Sequence, residues 1–294
     1  MGSDPLSFLI PRANYTIPLP GNRTLLLGPR TLVMGILNIT PDSFADGGLY
    51  LDPGAAEAAA VEMEARGADV VDVGGESTRP GADTISVEEE LARIRPVIRR
   101  LSKAVKIPLS VDTSKPAVAE VALAEGAAIV NDVTGLRYDA SLAEITARAG
   151  AGLILMHARG RSKDMYQEAR YTSVSQEVAD ELRASLERAL AAGAARDSVI
   201  LDPGLGFAKR PEHSYAALAA LPVFAALGCP LLVGPSRKSF LNAAIGERKP
   251  TDRDMATASA VASAVLMGAH IVRVHNVPDM VDVVRVADAI RQQC

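Results

Sequence analysis

Residues 126–132 read Gly-Ala-Ala-Ile-Val-Asn-Asp, and this stretch holds the pattern that decides the fold. A Gly-Ala pair opens it, an apolar run follows, and polar side chains end it. Glycine can stop a preceding helix in a left-handed turn, and a Val/Ile run without alternation is typical of a strand buried on both faces. The stretch therefore predicts a strand of a parallel sheet, with polar groups at its carboxyl end.

Similar runs recur along the chain and predict the architecture. Together with the first, the runs span residues 32–38, 69–76, 107–112, 127–132, 152–157, 198–202, 230–236 and 270–275. Stretches with helical spacing separate or follow them, at 53–66, 87–104, 116–125, 141–149, 175–192, 213–221, 240–245, 252–267 and 279–291. Eight β-then-α units predict an α/β protein with a (β/α)₈ TIM barrel, whose strand ends meet in one mouth.

Composition agrees with one enzyme-sized domain over residues 1–294. Hydrophobic residues make up 48% and aromatic residues only 4% of the chain, so we expect an aliphatic core. Residues 1–30 form an extension in which 14–27 predict a hairpin around the turn Leu19-Pro20-Gly21-Asn22. The net charge of −4 argues against nucleic acid as a partner. We expect no membrane span and no signal peptide, and therefore a cytoplasmic protein.

Polar residues at the predicted strand ends suggest a ligand frame. Asp112, Asn131 and Asp202 end three strands. A carboxylate accepts two parallel N–H bonds, which suits an amidine-like edge such as that of a 2-aminopyrimidinone. The alternative is that one or more of these residues cap the following helix.

Basic residues near the last two strands suggest an anion site. Arg237 and Lys238 lie in the turn after the seventh strand, where this fold often binds anions. Arg273 and His275 lie two residues apart, so one strand face carries both. The alternatives are a solvated basic turn and a core histidine.

Asn38 ends the first strand and precedes a loop that contains Asp42 and Asp46. An amide oxygen beside carboxylates suits Mg²⁺, which usually shares its ligands with substrate phosphates and water. The alternative for Asn38 is a turn residue. Three loops, at 40–51, 77–85 and 157–175, are longer and more polar than connection requires, which favours function.

The chain resembles the dihydropteroate synthases of the bacterial folate pathway, from about Thr31 to the C-terminus. The matching motifs are MGILNITPDSF at 34–44, DGG at 46–48, GGESTRPG at 74–81, SVDT at 110–113, ND at 131–132, MH at 156–157, DPGLGF at 202–207, SRK at 236–238 and RVH at 273–275. The resemblance implies a pterin-binding TIM barrel that condenses 6-hydroxymethyl-7,8-dihydropterin diphosphate with p-aminobenzoate. It also implies an SN1-like displacement assisted by Mg²⁺, and p-aminobenzenesulfonamides as competitors.

The resemblance also assigns roles to single residues. The pterin would contact Asp112, Asn131, Met156, Asp202, Phe207 and Lys238. The p-aminobenzoate would contact Phe44, Thr78, Arg79, Pro80 and Ser236. The diphosphate would contact Asn38, Arg79, Arg273 and His275, with Asn38 also holding Mg²⁺. The catalytic set would be Asn38, Asp46, Lys238 and Arg273.

Four positions depart from the family pattern, and we expect them to alter substrate affinity more than the reaction. They are Ala158, Arg210, Ser214 and Asn276. Two alternative functions would use the same pterin frame, which is the set Asp112, Asn131 and Asp202. A pterin-binding methyltransferase barrel would not need the segments at 78–80 and 236–238. A non-catalytic pterin-binding paralogue predicts damage in the first or second loop, and both loops are intact.

We also expect a homodimer. The predicted helix at 252–267 carries small residues that permit close approach of another helix: Ala256, Ser259, Ala260, Ser263 and Ala264. The alternative is that these residues only pack on the barrel.

Overall fold

The computed structural model describes residues 11–40, 52–79 and 81–293. Phe44, Asp46 and Pro80, which were assigned to the site from the sequence, lie outside these ranges. The chain begins with the predicted hairpin, formed by β1 (Tyr15–Leu19) and β2 (Arg23–Leu27), which pair antiparallel.

Eight parallel strands follow and form the predicted barrel. They are β3 (Leu32–Asn38), β4 (Val70–Gly74), β5 (Leu109–Asp112), β6 (Ile129–Asp132), β7 (Gly152–Met156), β8 (Val199–Asp202), β9 (Leu232–Val233) and β10 (Ile271–Val274). Neighbours in the chain pair in the sheet, and β10 pairs with β3. A bridge between Leu201 and Leu231 joins β8 to the start of the β9 segment and closes the ring.

Helices surround the strands. They are α1 (Pro53–Ala65), α2 (Val87–Ala104), α3 (Pro116–Ala124), α4 (Ser141–Arg148), α5 (Val174–Ala191), α6 (Pro211–Ala219), α7 (Leu221–Ala225), α8 (Asn242–Ile245), α9 (Asp254–Leu266) and α10 (Val277–Arg291). Short 3₁₀ turns occur at Arg196–Ser198, Ser239–Leu241 and Pro250–Arg253. Within the described ranges, no helix is both long and apolar enough to cross a membrane.

Several predicted elements differ from the structure. The helices predicted at 240–245 and 252–267 each begin with a 3₁₀ turn, and proline accounts for two further differences. The helix predicted at 213–221 is two helices, α6 and α7, because Pro222 lacks an N–H and starts a new helix near its first position. The strand predicted at 230–236 pairs only over Leu232–Val233, since Pro235 cannot donate to a ladder.

The hairpin covers the amino-terminal end of the barrel. Ile17 and Leu27 are fully or almost fully buried and belong to one apolar cluster with the lower strand residues Met34, Ile129 and Ile154. All eight strands run in the same direction, so their carboxyl ends meet at the opposite end of the barrel, where Asp112 and Asn131 lie. The packed end stabilises the barrel, and the other end is left for a site.

Candidate active site

A cavity of about 510 Å³ opens at the carboxyl ends of the strands. It narrows to an inner pocket of about 20 Å³, roughly the space of one water molecule. The outer cavity is lined by Asn38, Thr78, Arg79, Phe207, Ser236, Lys238, Arg273 and His275 among others. The inner pocket is lined by Asp112, Asn131, Met156, Asp202, Phe207, Lys238 and Arg273 among others. All of the predicted site residues in the described ranges therefore lie around one continuous space.

Arg273 is the centre of the inner pocket. Its Nε donates to Asp72 Oδ2 at 2.6 Å and its Nη2 donates to Asp112 Oδ2 at 2.8 Å. Asn131 Nδ2 donates to the same oxygen of Asp72 at 3.0 Å. Asp72 was missed in the sequence analysis. Its signal was a charged residue in the middle of an apolar strand, where burial is costly without a partner.

The carboxylates of this pocket retain unused acceptors. Asp72 Oδ1 and Asp112 Oδ1 are buried and have no hydrogen-bond partner among the described residues. Burial raises the pKa of Asp112 to about 7, against the opposing effect of Arg273. Such oxygens are expensive to leave unsatisfied, so the pocket is suited to a ligand that brings N–H donors.

Asp202 lies on the opposite side, at the end of β8. Its Oδ1 accepts from Gly204 N at 2.7 Å, and burial raises its pKa to about 6. This bond uses one oxygen to shape the turn after the strand. The capping alternative is wrong, because the N-cap residues of α3, α4 and α6 are Lys115, Ala140 and Arg210. Asp202 lines the inner pocket.

Lys238 forms the cationic wall. Its Nζ lies 3.8 Å from the centre of the Phe207 ring, which is a cation–π contact. Burial lowers the pKa of Lys238 to about 7, and Arg273 lowers it further. The neighbouring Arg237 has a different role, because its guanidinium forms two hydrogen bonds to Asp254, at 2.8 and 2.9 Å.

Ser236 and His275 form a polar pair at the rim. Ser236 Oγ accepts from His275 N at 3.1 Å and lies 2.9 Å from His275 Nδ1. Burial lowers the pKa of His275 well below its ordinary value, and Arg237 and Arg273 add to this effect. The imidazole is therefore neutral at physiological pH and remains close to the cations of the site.

His157 lies outside the main cavity. Its Nδ1 is 2.7 Å from Lys209 Nζ and its Nε2 is 3.1 Å from Glu181 Oε2. Lys209 is 1% exposed and also donates to the carbonyls of Gly204, at 3.1 Å, and Phe207, at 3.2 Å. Burial lowers the pKa of Lys209 to about 7 and that of His157 to about 3. This buried network holds the turn that carries Phe207, and Lys209 was not singled out from the sequence as part of the site.

The four departures from the family pattern lie away from the inner pocket. Ser214 Oγ accepts from Gly206 N at 3.2 Å, and Arg210 precedes α6 as its N-cap. Asn276 caps α10 and donates to Asp254 Oδ2 at 3.1 Å. Ala158 lines a second cavity, on the α5 side of β7.

Residues that could hold a metal ion are few. In residues 11–40, 52–79 and 81–293, no group of three or more His, Cys, Asp or Glu side chains could hold one. Asn38 contributes a single neutral oxygen at the cavity wall. Mg²⁺ commonly binds through one or two protein oxygens and completes its octahedron with substrate phosphates and water, so this donor set fits the ion only together with a phosphorylated substrate.

Comparisons with known proteins agree with this geometry. The profile of the family described as pterin binding enzyme matches residues 34–275. A dihydropteroate synthase of Synechocystis is 43% identical over 274 residues, which cover 93% of this chain and 95% of that protein. The crystal structure of Yersinia pestis dihydropteroate synthase with a sulfonamide drug complex has a TM-score of 0.89 at 37% identity, covering 95% of this chain and 100% of that one. The Burkholderia cenocepacia enzyme complexed with 7,8-dihydropteroate has a TM-score of 0.83 at 39% identity, covering 96% and 98%.

Proposed function

This chain belongs to the pterin-binding enzyme family and, within it, to the dihydropteroate synthases, and we propose how the cavity at its barrel mouth performs their reaction. The enzyme condenses 6-hydroxymethyl-7,8-dihydropterin diphosphate with p-aminobenzoate and releases 7,8-dihydropteroate and diphosphate. One observation carries the proposal. The inner pocket combines the buried Asp112 Oδ1, which has no hydrogen-bond partner among the described residues, with Lys238 and Arg273, which also line the outer cavity.

The inner pocket supports binding of the pterin ring. The 2-aminopyrimidinone edge presents N–H donors, and Asp112 and Asp202 offer acceptors at the depth of the pocket. Asn131 can both donate and accept, while Met156 and Phe207 provide apolar faces for a flat ring.

The outer cavity supports binding of the diphosphate. Arg79, Lys238 and Arg273 line it and supply positive charge, while Asn38 and His275 supply polar side chains. Neutralising the negative charge on the leaving group lowers the barrier to its departure, and cations held in a buried site do this without reorganising. Mg²⁺ bound by Asn38 and the diphosphate would supply further neutralisation of that kind.

The chemical step follows from this arrangement. The bond between the pterin methylene carbon and the diphosphate oxygen breaks, and its electron pair leaves with the diphosphate. The electron-rich pterin shares the positive charge that remains on the methylene. The amine of p-aminobenzoate then forms the new C–N bond and loses one proton to solvent or diphosphate. This amine is already unprotonated at neutral pH, so it requires positioning more than a general base.

The p-aminobenzoate slot lies at the outer cavity. Thr78, Arg79 and Ser236 line it in the described ranges. Phe44 and Pro80 would complete the slot. Asp46 would act from the first loop, near the developing charge. Closure of the first two loops would exclude water, which otherwise competes for the pterin cation.

The central test measures turnover in the wild-type protein and pterin binding in the variant Asp202→Asn. Asp202→Asn should bind 6-hydroxymethylpterin roughly tenfold to a hundredfold more weakly, because the amide offers a donor where an acceptor is needed, a loss of about 1–3 kcal/mol. Wild-type protein should form dihydropteroate from the two substrates, as followed by chromatography. Asp197→Asn, in the exposed turn before β8, is the matched control. Unchanged pterin affinity of folded Asp202→Asn in calorimetry would refute the assignment.

A second test concerns the metal. Thorough chelation should remove most activity, and adding Mg²⁺ back should restore it, because Asn38 and the cations alone leave the diphosphate incompletely neutralised. Full turnover in the presence of excess chelator would show that the ion is not required.

A further inference from the structure

The loop between β4 and α2 carries Thr78 and Arg79 to the cavity wall, and both of its ends meet at one carboxylate. Glu76, where the loop begins, accepts a hydrogen bond from Ile85 N at 3.2 Å, where the loop ends. The carboxylate of Glu76 therefore closes the loop at its base. Glu76 therefore bears on the position of Thr78 and Arg79, which lie between the two ends that it joins.

Lys115 holds that carboxylate in place. Its Nζ forms an ion pair with Glu76 Oε2 and a second one, of 2.5 Å, with Glu90 Oε2. Glu90 lies in the first turn of α2, the helix into which the loop runs, and its side chain is 1% exposed. One ammonium group thus neutralises two carboxylates that would otherwise repel each other across the base of the loop.

The same lysine connects the loop to the pterin frame. Lys115 is the N-cap residue of α3, three positions after Asp112 at the end of β5. On the other side, Arg93 of α2 donates to Gly75 O at 2.8 Å, which fixes the start of the loop against the same helix. The loop is therefore tied to the strand that carries Asp112 through Lys115, although Lys115 itself does not line the cavity.

We propose that Lys115 is the positioning residue for p-aminobenzoate: through Glu76 and Glu90 it holds the wall formed by the loop between β4 and α2 at the distance that the second substrate requires. This inference rests on the proposed function, since it assigns the loop to the second substrate. Different parts of the structure would then position the two substrates. The residues proposed for the pterin lie at strand ends, while the wall proposed for p-aminobenzoate lies on a loop whose base the Lys115 ion pairs hold.

The experiment measures the two substrates separately in Lys115→Met. With saturating pterin diphosphate, KM for p-aminobenzoate should rise by about tenfold or more, because small displacements of a positioning wall have effects of this order. The dissociation constant of 6-hydroxymethylpterin, measured by calorimetry without turnover, should stay within about twofold of wild type, since the groups that bind the ring remain in place. Lys115→Arg, which keeps the charge, should recover most of the affinity.

The matched control is Lys163→Met. Lys163 also pairs with this loop, at Asp83, but both side chains are largely exposed, at 67% and 81%. Exposed pairs contribute little, so this variant should leave both substrate constants unchanged. A second variant, Glu76→Gln, removes one partner from a partly exposed position and should reproduce the selective rise in KM for p-aminobenzoate without changing pterin binding.

The outcomes separate the inference from the function on which it rests. Wild-type protein that forms no dihydropteroate would remove the proposed function. Active wild type with an unchanged KM in folded Lys115→Met, or with pterin affinity lost in parallel, would overturn the role of Lys115 alone. If Lys115→Met does not fold, Glu76→Gln decides: an unchanged KM for p-aminobenzoate in that variant would overturn the inference equally.

Discussion

Arg273, Asp72 and Asp112 form a buried charged group that stability alone does not explain. Replacing a buried ion pair by well-packed apolar residues is often neutral or favourable, because removing charges from water is expensive. The hairpin end of this barrel is filled by aliphatic side chains, so the polar layer at the other end is not needed to close the core. Asp112 Oδ1, which lines the inner pocket and has no partner among the described residues, is better explained as a preformed acceptor that the pterin would satisfy.

The shifted pKa values of three site residues predict the pH dependence. Burial raises the pKa of Asp112 to about 7 and that of Asp202 to about 6, so towards lower pH these carboxyls become protonated and lose acceptor capacity. Burial lowers the pKa of Lys238 to about 7, so above this pH the cation that we propose for the diphosphate site is lost. We therefore expect kcat/KM for the pterin diphosphate to follow a narrow bell, with its acidic limb between about 6 and 7 and its alkaline limb near 7.

A pH series of initial rates at low pterin diphosphate checks this profile. Lys238→Arg is the informative variant, because arginine stays charged at every accessible pH, and its alkaline limb should move upward. A flat wild-type profile from about pH 5 to pH 9 would contradict both assignments, since each limb reports an essential group of the free enzyme.

The strand-end residues could be predicted from the sequence, and the buried partners could not. Asp112, Asn131 and Asp202 follow apolar runs directly, and strand alternation gave the common face of Arg273 and His275. Asp72 pairs with Arg273, which is 201 positions away, and Lys209 pairs with His157 across 52 positions. A single sequence carries no signal for such contacts, because they arise only when the ring of strands closes.

The turn after β8 is an element whose backbone determines the shape of the pocket. Gly204, Gly206 and Ala208 all have positive φ, at 67°, 78° and 47°. A Cβ at Gly204 would lie 2.0 Å from the carbonyl oxygen of His157, so only glycine fits there. Lys209 donates to two carbonyls of this turn and holds Phe207 against the site. We attribute tolerance of this strain to the position of Phe207, which we propose as an apolar face for the pterin ring.

Two substitutions in this turn should therefore differ in how strongly they change the free energy of unfolding. Gly204→Ala should destabilise the fold by about 2–3 kcal/mol or more, because it adds both a clash and an unfavourable φ. Ala208→Gly should change stability by less than about 1 kcal/mol, since glycine relieves the left-handed strain but loses more entropy on folding. Chemical denaturation measures both. Equal stabilities of the two variants would contradict this account of the turn.

Helix bounds were predicted well where caps and periodicity agree. The prediction at 87–104 matches α2 in full. Ser86 is its N-cap, and the Ser86 Oγ accepts a hydrogen bond from Glu89 N. The run predicted at 32–38 matches β3 in full, and the other runs extend one to five residues beyond the paired segments, as for β4, predicted at 69–76 and paired over Val70–Gly74. Hydrophobicity marks burial, which continues past the last ladder bond, so it does not mark where pairing ends.

Across the barrel, stability and chemistry are assigned to opposite ends. Ile17 and Leu27 of the hairpin pack beneath the strands, and Gly152 leaves room for this contact, since a Cβ there would lie 3.3 Å from the Ile17 side chain. The mouth carries the charges and the long loops. This division was predictable from the order of apolar and polar residues within each strand, because eight strands with the same polarity all point the same way.

The outer surface of α9 and α10 carries exposed apolar side chains that bear on the assembly of the protein. Met255 on α9 is 81% exposed and Val286 on α10 is 64% exposed, on two helices that pack against each other. Ser263 Oγ donates back to Ser259 O at 2.9 Å, so its hydroxyl is satisfied within α9 and leaves a small, smooth surface. Exposed apolar side chains on such a surface favour burial against a second copy.

We expect a homodimer through α9, with the mass of two chains in light scattering at micromolar concentration. Met255→Lys should give the mass of one chain, because an ammonium group buried at the contact would lack a partner. Leu26→Lys is the matched control, since Leu26 is 62% exposed on the hairpin, far from α9 in sequence, and should leave the dimer intact. A single-chain mass for the wild type would contradict the prediction of a homodimer. A two-chain mass for Met255→Lys would show that the dimer contact lies on another surface. The small residues of α9 would then serve only to pack on the barrel.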